Sequence, residues 1–369
     1  MESRIPIINV KGTPFECGEQ YGSQAKDLIR TNVNVYFDVW RSLYGLERAT
    51  VHELCKKLVP AIDAYDADLL EEMRGIASGA DIPVEDIIAI NARYEINYTF
   101  GTASEKKADG CTSIVALPQV TKDGHTLIGQ NWDYLPEFQH YNVILQVEQE
   151  AKPNVVTQPE AGNLAHRGMN SVGVGVCFNG LSSTLDNFDY SAPPYLIMIR
   201  GILNAANYSQ AIGAVTRAKA TLSGNFLIAT RGGEAIDLEA SPSDVACLYP
   251  EDGLLVHSNN FLVPSPSTDR VDILKKIWPD TLVRWHRAQE LMKREGGQIG
   301  VDSFQRVLRD HLSYPVSICR HPDEQVEGFR QMATLASMIM DLDEGSIYIA
   351  EGLPCENEYY KLTPEILKE

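Results

Sequence analysis

The chain changes character at Cys111, and this change constrains the fold more than any other feature. Before Cys111, the helical spacing of apolar residues predicts one short strand followed by four helices. After it, apolar runs bounded by turn residues predict strands that are mostly joined as hairpins. Because a hairpin makes its two strands antiparallel, this order predicts an α+β fold with antiparallel sheets.

Turn and capping signals mark the ends of these elements. Capping boxes, Thr13 with Glu16 and Thr50 with Glu53, predict two helix starts, and the first helix is expected to stop near Gly45. The helices are predicted over 14–45, from 50, and over 66–80, 84–97, 194–220, 283–293 and 302–312. The strands and hairpins are predicted over 4–10, 113–120, 125–133, 141–150, 170–180, 225–241, 253–261 and 332–352. A charged loop over 101–110 separates the helical part from the rest.

The composition excludes several classes of protein. The 369 residues carry a formal charge of −18, which argues against nucleic acid or an anionic membrane as the main partner. No apolar run is long enough to span a membrane, and residues 1–12 lack the apolar core of a signal peptide. The seven cysteines form no Cys-x-x-Cys pair, and His321 stands in a loop beside two acids. We therefore expect a cytoplasmic protein with no disulfide framework, no metal site and no cofactor.

Cys111 stands at an unusual place, between the charged loop and an apolar strand. It could be an ordinary core residue, since free cysteine is among the most buried residue types, and the local sequence favours that interpretation. It could instead be a nucleophile exposed by a cut between Gly110 and Cys111. The new α-amine, with an ordinary pKa of about 7.7–8.0, could then act as general base for the thiol of its own residue. Glycine at 110 has no Cβ to hinder attack on its carbonyl.

Three polar residues could complete such a site. Antiparallel pairing brings the end of the 125–133 strand beside Cys111, where Asp133 could orient the α-amine or hold it protonated. Asn259 could donate its amide to an oxyanion, and Arg320 could position a carboxylate or pair with Asp133. Each residue taken alone also fits a local role, as a turn cap, an Asx turn and a surface arginine, respectively.

His257 provides a rival hypothesis, in which it pairs with Cys111 as in thiol proteases. That pair would explain neither Gly110 nor the loop before it, so we expect His257, Cys177 and Cys319 to be structural. A non-catalytic binding protein with Cys111 in its core is the alternative from another class.

Several segments resemble the isopenicillin N acyltransferase family, the acyl-CoA:6-aminopenicillanic acid acyltransferase-like cysteine Ntn hydrolases of peptidase family C45. The similar segments run nearly end to end and are GTPFECGEQYG, EEMRGIASGA, NARYE, DGCTS, IGQNWDY, GMNSVGVGVCFN, VHSNN and YPVSICR. The resemblance implies a four-layer αββα sandwich and self-cleavage between Gly110 and Cys111. Residues 1–110 would form a mostly helical α-type subunit and residues 111–369 a β-type subunit, associated as one Ntn domain, with further oligomerisation left open.

The resemblance also implies roles for five residues. These are Cys111 as nucleophile, Asp133 as its supporting carboxylate, Asn259 as oxyanion residue, Arg320 as active-site arginine and Asn179 as a second oxyanion or substrate-binding asparagine.

The implied activity is acyl transfer through a thioester on the nucleophilic cysteine. The donor would be acyl-CoA, as a co-substrate, or the side-chain amide of an isopenicillin N-like substrate, and the acceptor an amine such as 6-aminopenicillanate. The alternative is a strict amidohydrolase or peptidase that passes the acyl group of small N-acyl amides to water. Because CoA is a polyanion, this acidic chain would need a local basic patch, so we expect general amidase or acyltransferase activity in preference to the CoA reaction. The candidates for such a patch are Lys56, Lys57, Arg217 and Lys219.

Overall fold

A computed structural model describes residues 5–101, 110–264, 269–325 and 331–368. Within these residues it contains ten α-helices and fourteen β-strands. The helices are α1 (Pro14–Gln24), α2 (Lys26–Tyr44), α3 (Arg48–Ala80), α4 (Val84–Asn91), α5 (Arg93–Phe100), α6 (Tyr195–Leu203), α7 (Tyr208–Thr216), α8 (Leu274–Ile277), α9 (Asp280–Arg294) and α10 (Val301–Leu308). The strands are β1 (Ile7–Gly12), β2 (Gly110–Ala116), β3 (Leu127–Tyr134), β4 (Ile144–Gln149), β5 (Val155–Gln158), β6 (Arg167–Asn170), β7 (Val174–Gly180), β8 (Gly224–Thr230), β9 (Glu234–Ser241), β10 (Asp244–Leu248), β11 (Leu254–His257), β12 (Ala333–Asp341), β13 (Ser346–Glu351) and β14 (Tyr360–Leu362).

The first predicted capping box is confirmed and the second is wrong. The Thr13 side chain accepts a hydrogen bond from the Glu16 backbone, and the Glu16 carboxylate accepts one from Thr13 N at 2.9 Å. In contrast, α3 already begins at Arg48, so Thr50 lies inside its first turn and caps nothing.

The spacing of apolar residues did not predict where the helices before Cys111 break or join. The predicted first helix is interrupted at Ala25, which has φ −111° and ψ 20° and separates α1 from α2. The helices predicted from 50 and over 66–80 instead join into α3, with a kink at Asp66. The predicted loop over 101–110 lies outside the described residues except at its two ends.

The strands form two sheets. The eight-stranded sheet has the order β1-β4-β5-β6-β7-β8-β9-β10, and the six-stranded sheet has the order β11-β2-β3-β12-β13-β14. Antiparallel sheets are confirmed for every neighbouring pair but one, because β1 lies parallel to β4 at the sheet edge. The predicted hairpins β2–β3, β8–β9 and β12–β13 are all present.

Three apolar clusters give the order of the layers. The first packs helices α1–α7 against the eight-stranded sheet, and includes Trp40, Leu196 and Phe178. The second fills the space between the two sheets, and the third packs α9 and α10 onto the outer face of the six-stranded sheet. The order helix, sheet, sheet, helix is the predicted αββα sandwich. Among the described residues, no helix is both long and apolar enough to cross a membrane.

Two buried ion pairs join the part before Cys111 to the part after it. Arg200 on α6 donates to both carboxylate oxygens of Glu72 on α3, each at 2.9 Å. Arg93 on α5 lies with its Nε 2.8 Å from Glu160 Oε2. Together with the β1–β4 pairing, these contacts bind the two parts into one body.

The alternation of side chains along β2 fixes which way Cys111 points. Val115 belongs to the cluster between the sheets, whereas Ile114 and Ala116 belong to the cluster under α9 and α10. Since successive side chains point to opposite faces, Cys111 points toward the eight-stranded sheet and Thr112 toward α9.

Candidate active site

The β2–β3 hairpin determines what lies beside Cys111. Gly110 pairs with Asp133 and Cys111 pairs with Trp132. The strand runs from Gly110 to Ala116 and so begins before the predicted range of 113–120, which makes the peptide bond between Gly110 and Cys111 part of the sheet. Asp133 therefore lies on the Gly110 side of that bond, on the outer face of the six-stranded sheet.

A chain of alternating charges runs from Asp133 to α9 on this outer face. Arg320 Nε donates to Asp133 Oδ2 at 3.3 Å, which is the predicted pair, and Arg320 Nη2 donates to Asp280. Arg284 Nε donates to the same Asp280 oxygen at 3.0 Å. Thr334 Oγ1 donates to the other oxygen of this carboxylate, Asp133 Oδ1, at 2.6 Å. Two acids and two arginines thus balance one another in a site with little solvent.

The two carboxyl groups of this chain titrate differently. Burial raises the pKa of Asp133 to about 6, although the charges of Arg320 and Arg284 act against the rise. Burial also acts to raise the pKa of Asp280, but the charges of Arg320 and Arg284 outweigh burial, so the pKa of Asp280 is lowered. Near neutral pH, Asp280 is therefore a fixed charge, whereas Asp133 can gain and lose a proton.

Gly110 is held tightly by this chain. A Cβ at position 110 would lie 3.1 Å from Asp133 Oδ2, 3.2 Å from Arg320 Nε and 3.2 Å from Met332 Cε. These distances are shorter than ordinary van der Waals contact. The glycine therefore leaves room for the ion pair, a reason that the sequence alone did not supply.

The backbone of Cys111 is bound by side chains from two other elements. Cys111 N donates to Asn259 Oδ1 at 2.8 Å, and Arg284 Nη1 donates to Cys111 O at 2.6 Å and to Thr112 Oγ1 at 3.0 Å. Arg284 Nη2 also donates to Asn259 Oδ1, at 2.9 Å. Asn259 follows β11, which pairs with β2, and this pairing brings it to the cysteine.

The orientation of the Asn259 amide follows from its partners. Its Oδ1 accepts hydrogen bonds from Cys111 N and Arg284 Nη2, which can only donate. Its Nδ2 donates at 3.0 Å to the carbonyl oxygen of Gly180, which can only accept. Asn259 thus turns its carbonyl oxygen, not its NH2 group, toward the Cys111 nitrogen. Its role as an oxyanion donor stays a prediction.

Asn179 lies on the sulfur side of β2. Its Oδ1 accepts from Ser113 Oγ at 2.7 Å and from Asn225 Nδ2 at 3.4 Å. Its Nδ2 is buried without a hydrogen-bond partner among the described residues. A buried donor left in this state is a candidate for binding a substrate oxygen.

His257 occupies a site of its own. Its Nδ1 lies 2.8 Å from Ser258 O and its Nε2 lies 2.9 Å from Glu239 Oε1, so both ring nitrogens have partners other than Cys111. Burial acts to lower its pKa, but the acidic Asp237 and Glu239 outweigh this and raise it. This geometry fits the structural histidine that we expected rather than a Cys–His pair.

Cys111 itself is fully buried, with 0% of its surface exposed, and belongs to the same apolar cluster as Trp132 and Phe178. Its sulfur side is thus apolar, whereas its backbone is surrounded by polar groups. Because the thiol is covered, a substrate can reach it only after residues that cover it have moved.

Sequence reasoning missed two members of the charge chain, Asp280 and Arg284. Their i, i+4 spacing was visible, but such pairs are common on exposed helix faces, and nothing local shows that α9 turns this face onto β2. The predicted helix also began at 283, which left Asp280 outside it.

Comparisons with known proteins bear on this arrangement. Residues 120–355 match the family model described as acyl-coenzyme A:6-aminopenicillanic acid acyl-transferase. The matched stretch contains Asp133, Asn179, Asn259 and Arg320, and it begins after Cys111.

Two curated relatives extend the match. The acyl-coenzyme A:6-aminopenicillanic-acid-acyltransferase 40 kDa form of Emericella nidulans is 28% identical over 337 residues, which cover 90% of this chain and 89% of the relative. An uncharacterized protein of Archaeoglobus fulgidus is 24% identical over 358 residues, which cover 84% of this chain and 58% of that protein.

Similar solved structures include a mutant conjugated bile acid hydrolase from Clostridium perfringens, with a TM-score of 0.48 and 14% identity over 70% of this chain and 98% of that one. A penicillin V acylase from Agrobacterium tumefaciens has a TM-score of 0.42 and 12% identity over 70% of this chain and 88% of that one. The family model covers more than half of the chain. The protein therefore belongs to the acyl-coenzyme A:6-aminopenicillanic acid acyl-transferase family, as its sequence motifs indicated, and is an enzyme of the acyltransferase type.

Proposed function

We propose that the chain cuts itself between Gly110 and Cys111 and then uses N-terminal Cys111 to carry an acyl group. One observation carries this proposal: side chains bind the backbone of Cys111 on both sides, Asn259 at its nitrogen and Arg284 at its oxygen. In the interior of a sheet, neighbouring strands normally satisfy these backbone groups. Asn259 holds the nitrogen of the Gly110–Cys111 peptide bond and Arg284 holds the next carbonyl, so side chains rather than a neighbouring strand position the residue whose nitrogen would be released.

The cut is an acyl shift followed by hydrolysis. The Cys111 sulfur attacks the Gly110 carbonyl carbon, the C–N bond breaks, and the thiol proton passes to the departing nitrogen. This step leaves a thioester and an α-amine, and water then opens the thioester to give the Gly110 carboxylate and a free thiol. Asp133, which lies on the Gly110 side with a pKa of about 6, is placed to exchange the proton. The charge of Arg320, which lies beside Gly110, would favour the negative charge that develops on the Gly110 carbonyl oxygen.

In the mature enzyme the same groups would serve the second reaction. The new amine of Cys111 keeps the Asn259 oxygen as an acceptor and can take the thiol proton when sulfur attacks an acyl carbonyl. The acyl–nitrogen or acyl–sulfur bond of the donor breaks, and a thioester to Cys111 forms. An amine or water then attacks the thioester and releases the thiol. The unpartnered Asn179 Nδ2 is the proposed donor to the substrate oxygen.

Small N-acyl amides are the donors that we propose first. Of the predicted basic patch, Lys56 is paired with Glu53 at 2.7 Å and Lys219 with Asp189 at 2.9 Å. Arg217 and Lys219 do line one cavity, of about 460 Å³, but it is formed by α3, α6, α7 and adjoining loops rather than by the elements that hold Cys111. Transfer from acyl-CoA is the second candidate, since the name of the Emericella relative specifies that donor and 6-aminopenicillanic acid.

Intact mass and N-terminal sequencing of the purified protein test the cut. We expect one product that ends at Gly110 and another that begins CTSIV, held together until denaturation by the buried ion pairs across that boundary. Cys111→Ala should remain a single chain, and Cys247→Ala, which changes an exposed cysteine, should be cut normally. Cutting at the same bond in Cys111→Ala would refute self-cleavage.

A donor and acceptor screen tests the second reaction. The mature protein is incubated with N-acyl amides or acyl-CoA, with and without 6-aminopenicillanate. Release of free acid without the amine supports amide hydrolysis, and an amide product formed faster than free acid supports the transferase. Saturable transfer from acyl-CoA that exceeds hydrolysis would reverse our order of donors.

A further inference from the structure

Four metal-binding side chains meet beside the active-site arginine. They are His311, Cys319, His321 and Cys355, and their ligand atoms all lie within 4.8 Å of one another. Cys319 is buried, His321 and Cys355 are half-buried, and His311 is exposed. None of the four belongs to the site around Cys111.

The donors come from three separate segments. His311 follows α10, Cys319 and His321 flank Arg320, and Cys355 lies in the turn after β13. Hydrogen bonds already hold these segments together, because Cys319 N donates to Asp310 O at 3.1 Å and the Arg309 side chain donates from Nε to Pro354 O at 2.7 Å. The four side chains are therefore brought together by segments that are hydrogen-bonded to one another.

The separations fit a single tetrahedral ion. His321 Nε2 lies 3.1 Å from His311 Nε2, 3.3 Å from Cys355 Sγ and 3.9 Å from Cys319 Sγ. With metal–nitrogen bonds of about 2.05 Å and metal–sulfur bonds of about 2.3 Å, tetrahedral geometry requires about 3.3 Å between nitrogens and about 3.6 Å between nitrogen and sulfur. Two facing imidazole nitrogens can share only one proton, whereas a cation uses the lone pairs of both.

We propose that His311, Cys319, His321 and Cys355 form a structural Zn²⁺ site. Two thiolates and two imidazoles in a tetrahedron are the donor set that selects zinc, and four protein ligands leave no open position for catalysis. The ion would clamp the chain on both sides of Arg320, and through it the contacts of that arginine with Asp133 and Asp280. The sequence analysis predicted no metal site, and this proposal departs from it because Cys355, which is 34 residues beyond His321, joins the other three side chains only in the folded chain.

Cobalt substitution tests the site. The full chain, without a histidine tag, is stripped with a chelator and titrated with Co²⁺, whose visible bands report tetrahedral geometry and whose near-ultraviolet band reports thiolate ligation. We expect saturation at one equivalent and displacement by Zn²⁺. His311→Ala, at an exposed position that leaves the core intact, and Cys355→Ser should each weaken binding by roughly tenfold or more.

Two controls separate this site from others. Cys247→Ser, at an exposed cysteine outside the cluster, should bind cobalt as the wild type does. Cys111→Ala should also retain the bands, so the metal proposal can fail or succeed independently of the proposed cut.

Two outcomes would overturn the proposal. One is a stripped, folded protein that shows no thiolate–cobalt band. The other is a band that survives unchanged in both His311→Ala and Cys355→Ser. Thiol counting by alkylation and intact mass would show whether a Cys319–Cys355 disulfide takes the place of the metal, and a stable disulfide in protein purified under reducing conditions would also refute it.

Discussion

Cys111 and Cys177 are both fully buried on strands inside their sheets, yet their surroundings differ in kind. Cys177 lies in the apolar cluster between the sheets, and burial raises the pKa of its thiol far above the usual range. At Cys111, Asn259 and Arg284 bind the backbone. The chain of alternating charges begins beside it, at Asp133, which pairs with Gly110. Burial is therefore the same at both cysteines, and the polar groups around the backbone distinguish Cys111, the proposed nucleophile, from Cys177.

Each cysteine also has a buried aspartate, arginine and glycine in its region, which supply matched controls. Asp133, Arg284 and Gly110 belong to the Cys111 region. For Cys177, the charges that act on its thiol are those of Arg167 and Asp237, and Gly175 precedes it by two residues on β7. Paired substitutions can therefore test whether the difference is functional.

Replacement of each cysteine by alanine should give the largest contrast. Cys111→Ala removes the attacking sulfur, so we expect no cut and a loss of acyl-transfer or amidase activity of roughly 10⁴-fold or more. Cys177→Ala should be cut and active, with its free energy of unfolding lowered by roughly 1–3 kcal/mol. Gel analysis, activity assays and urea unfolding measure these effects. Equal loss of cutting in both variants would abolish the distinction.

Replacement of buried arginines should give the second-largest contrast. Arg284→Met removes the donor to Cys111 O and Asn259 Oδ1, which position the Cys111 backbone, and should slow the cut by roughly 10²-fold. Arg167 lies over the ring of Trp132, the strand partner of Cys111, so the control is Arg200→Met, which removes the buried arginine paired with Glu72 and should destabilise the protein without slowing the cut in the fraction that folds. Time courses at a temperature where both variants are folded give the comparison. A similar slowing in both would show that the effect is structural.

Replacement of Asp133 and of Asp237 should have different effects on the cut but similar effects on the free energy of unfolding. Burial raises the pKa of both Asp133 and Asp237 to about 6, from 3.8. A raised pKa means that the folded state binds the proton more tightly, so this stabilisation is present below pH 4 and is lost as the pH rises through 6. Asn at either position should flatten the pH dependence of the unfolding free energy by about 2–3 kcal/mol over that window. Only Asp133→Asn should also slow the cut; a pH profile of unfolding that is unchanged in either variant contradicts the assignment.

The glycines should give the smallest effect. In Gly110→Ala the new methyl group presses on Asp133 and Arg320, and we expect the cut to slow by about tenfold, since such crowding costs roughly 1–3 kcal/mol. In Gly175→Ala the methyl group lies 2.7 Å from Leu342 Cδ2, so stability should fall while the cut proceeds normally. Cutting of Gly110→Ala at the wild-type rate would show that the ion pair needs no space there.

Local sequence signals determined much of this fold. Helical spacing and hairpin turns found the long elements, and the β2–β3 hairpin placed Asp133 near Cys111 because its register follows from the turn. The short strands β5, β6, β10 and β14 were missed, since three to five residues carry too little alternation. The parallel pairing of β1 with β4 was also missed, because its partners lie far apart in the chain.

The site was predictable only where strand ends marked it. Asn259 lies near the end of the predicted strand 253–261, and Arg320 follows the apolar stretch YPVSIC, which forms turns and bends rather than a strand; their polar character at those points suggested a site. Arg284 reaches Cys111 from a helix in another layer, and its placement depends on how α9 packs across the six-stranded sheet. The four ligands of the proposed zinc site likewise meet only in the folded chain.

The interlocking of the parts before and after Cys111 has a thermodynamic consequence. β1 completes the edge of a sheet whose other strands all follow residue 110, and the pairs Glu72–Arg200 and Arg93–Glu160 lie in the interior. Once the peptide bond is cut, unfolding would release two molecules from one. The melting temperature of the cut protein should then rise with its concentration, whereas that of an uncut variant should not.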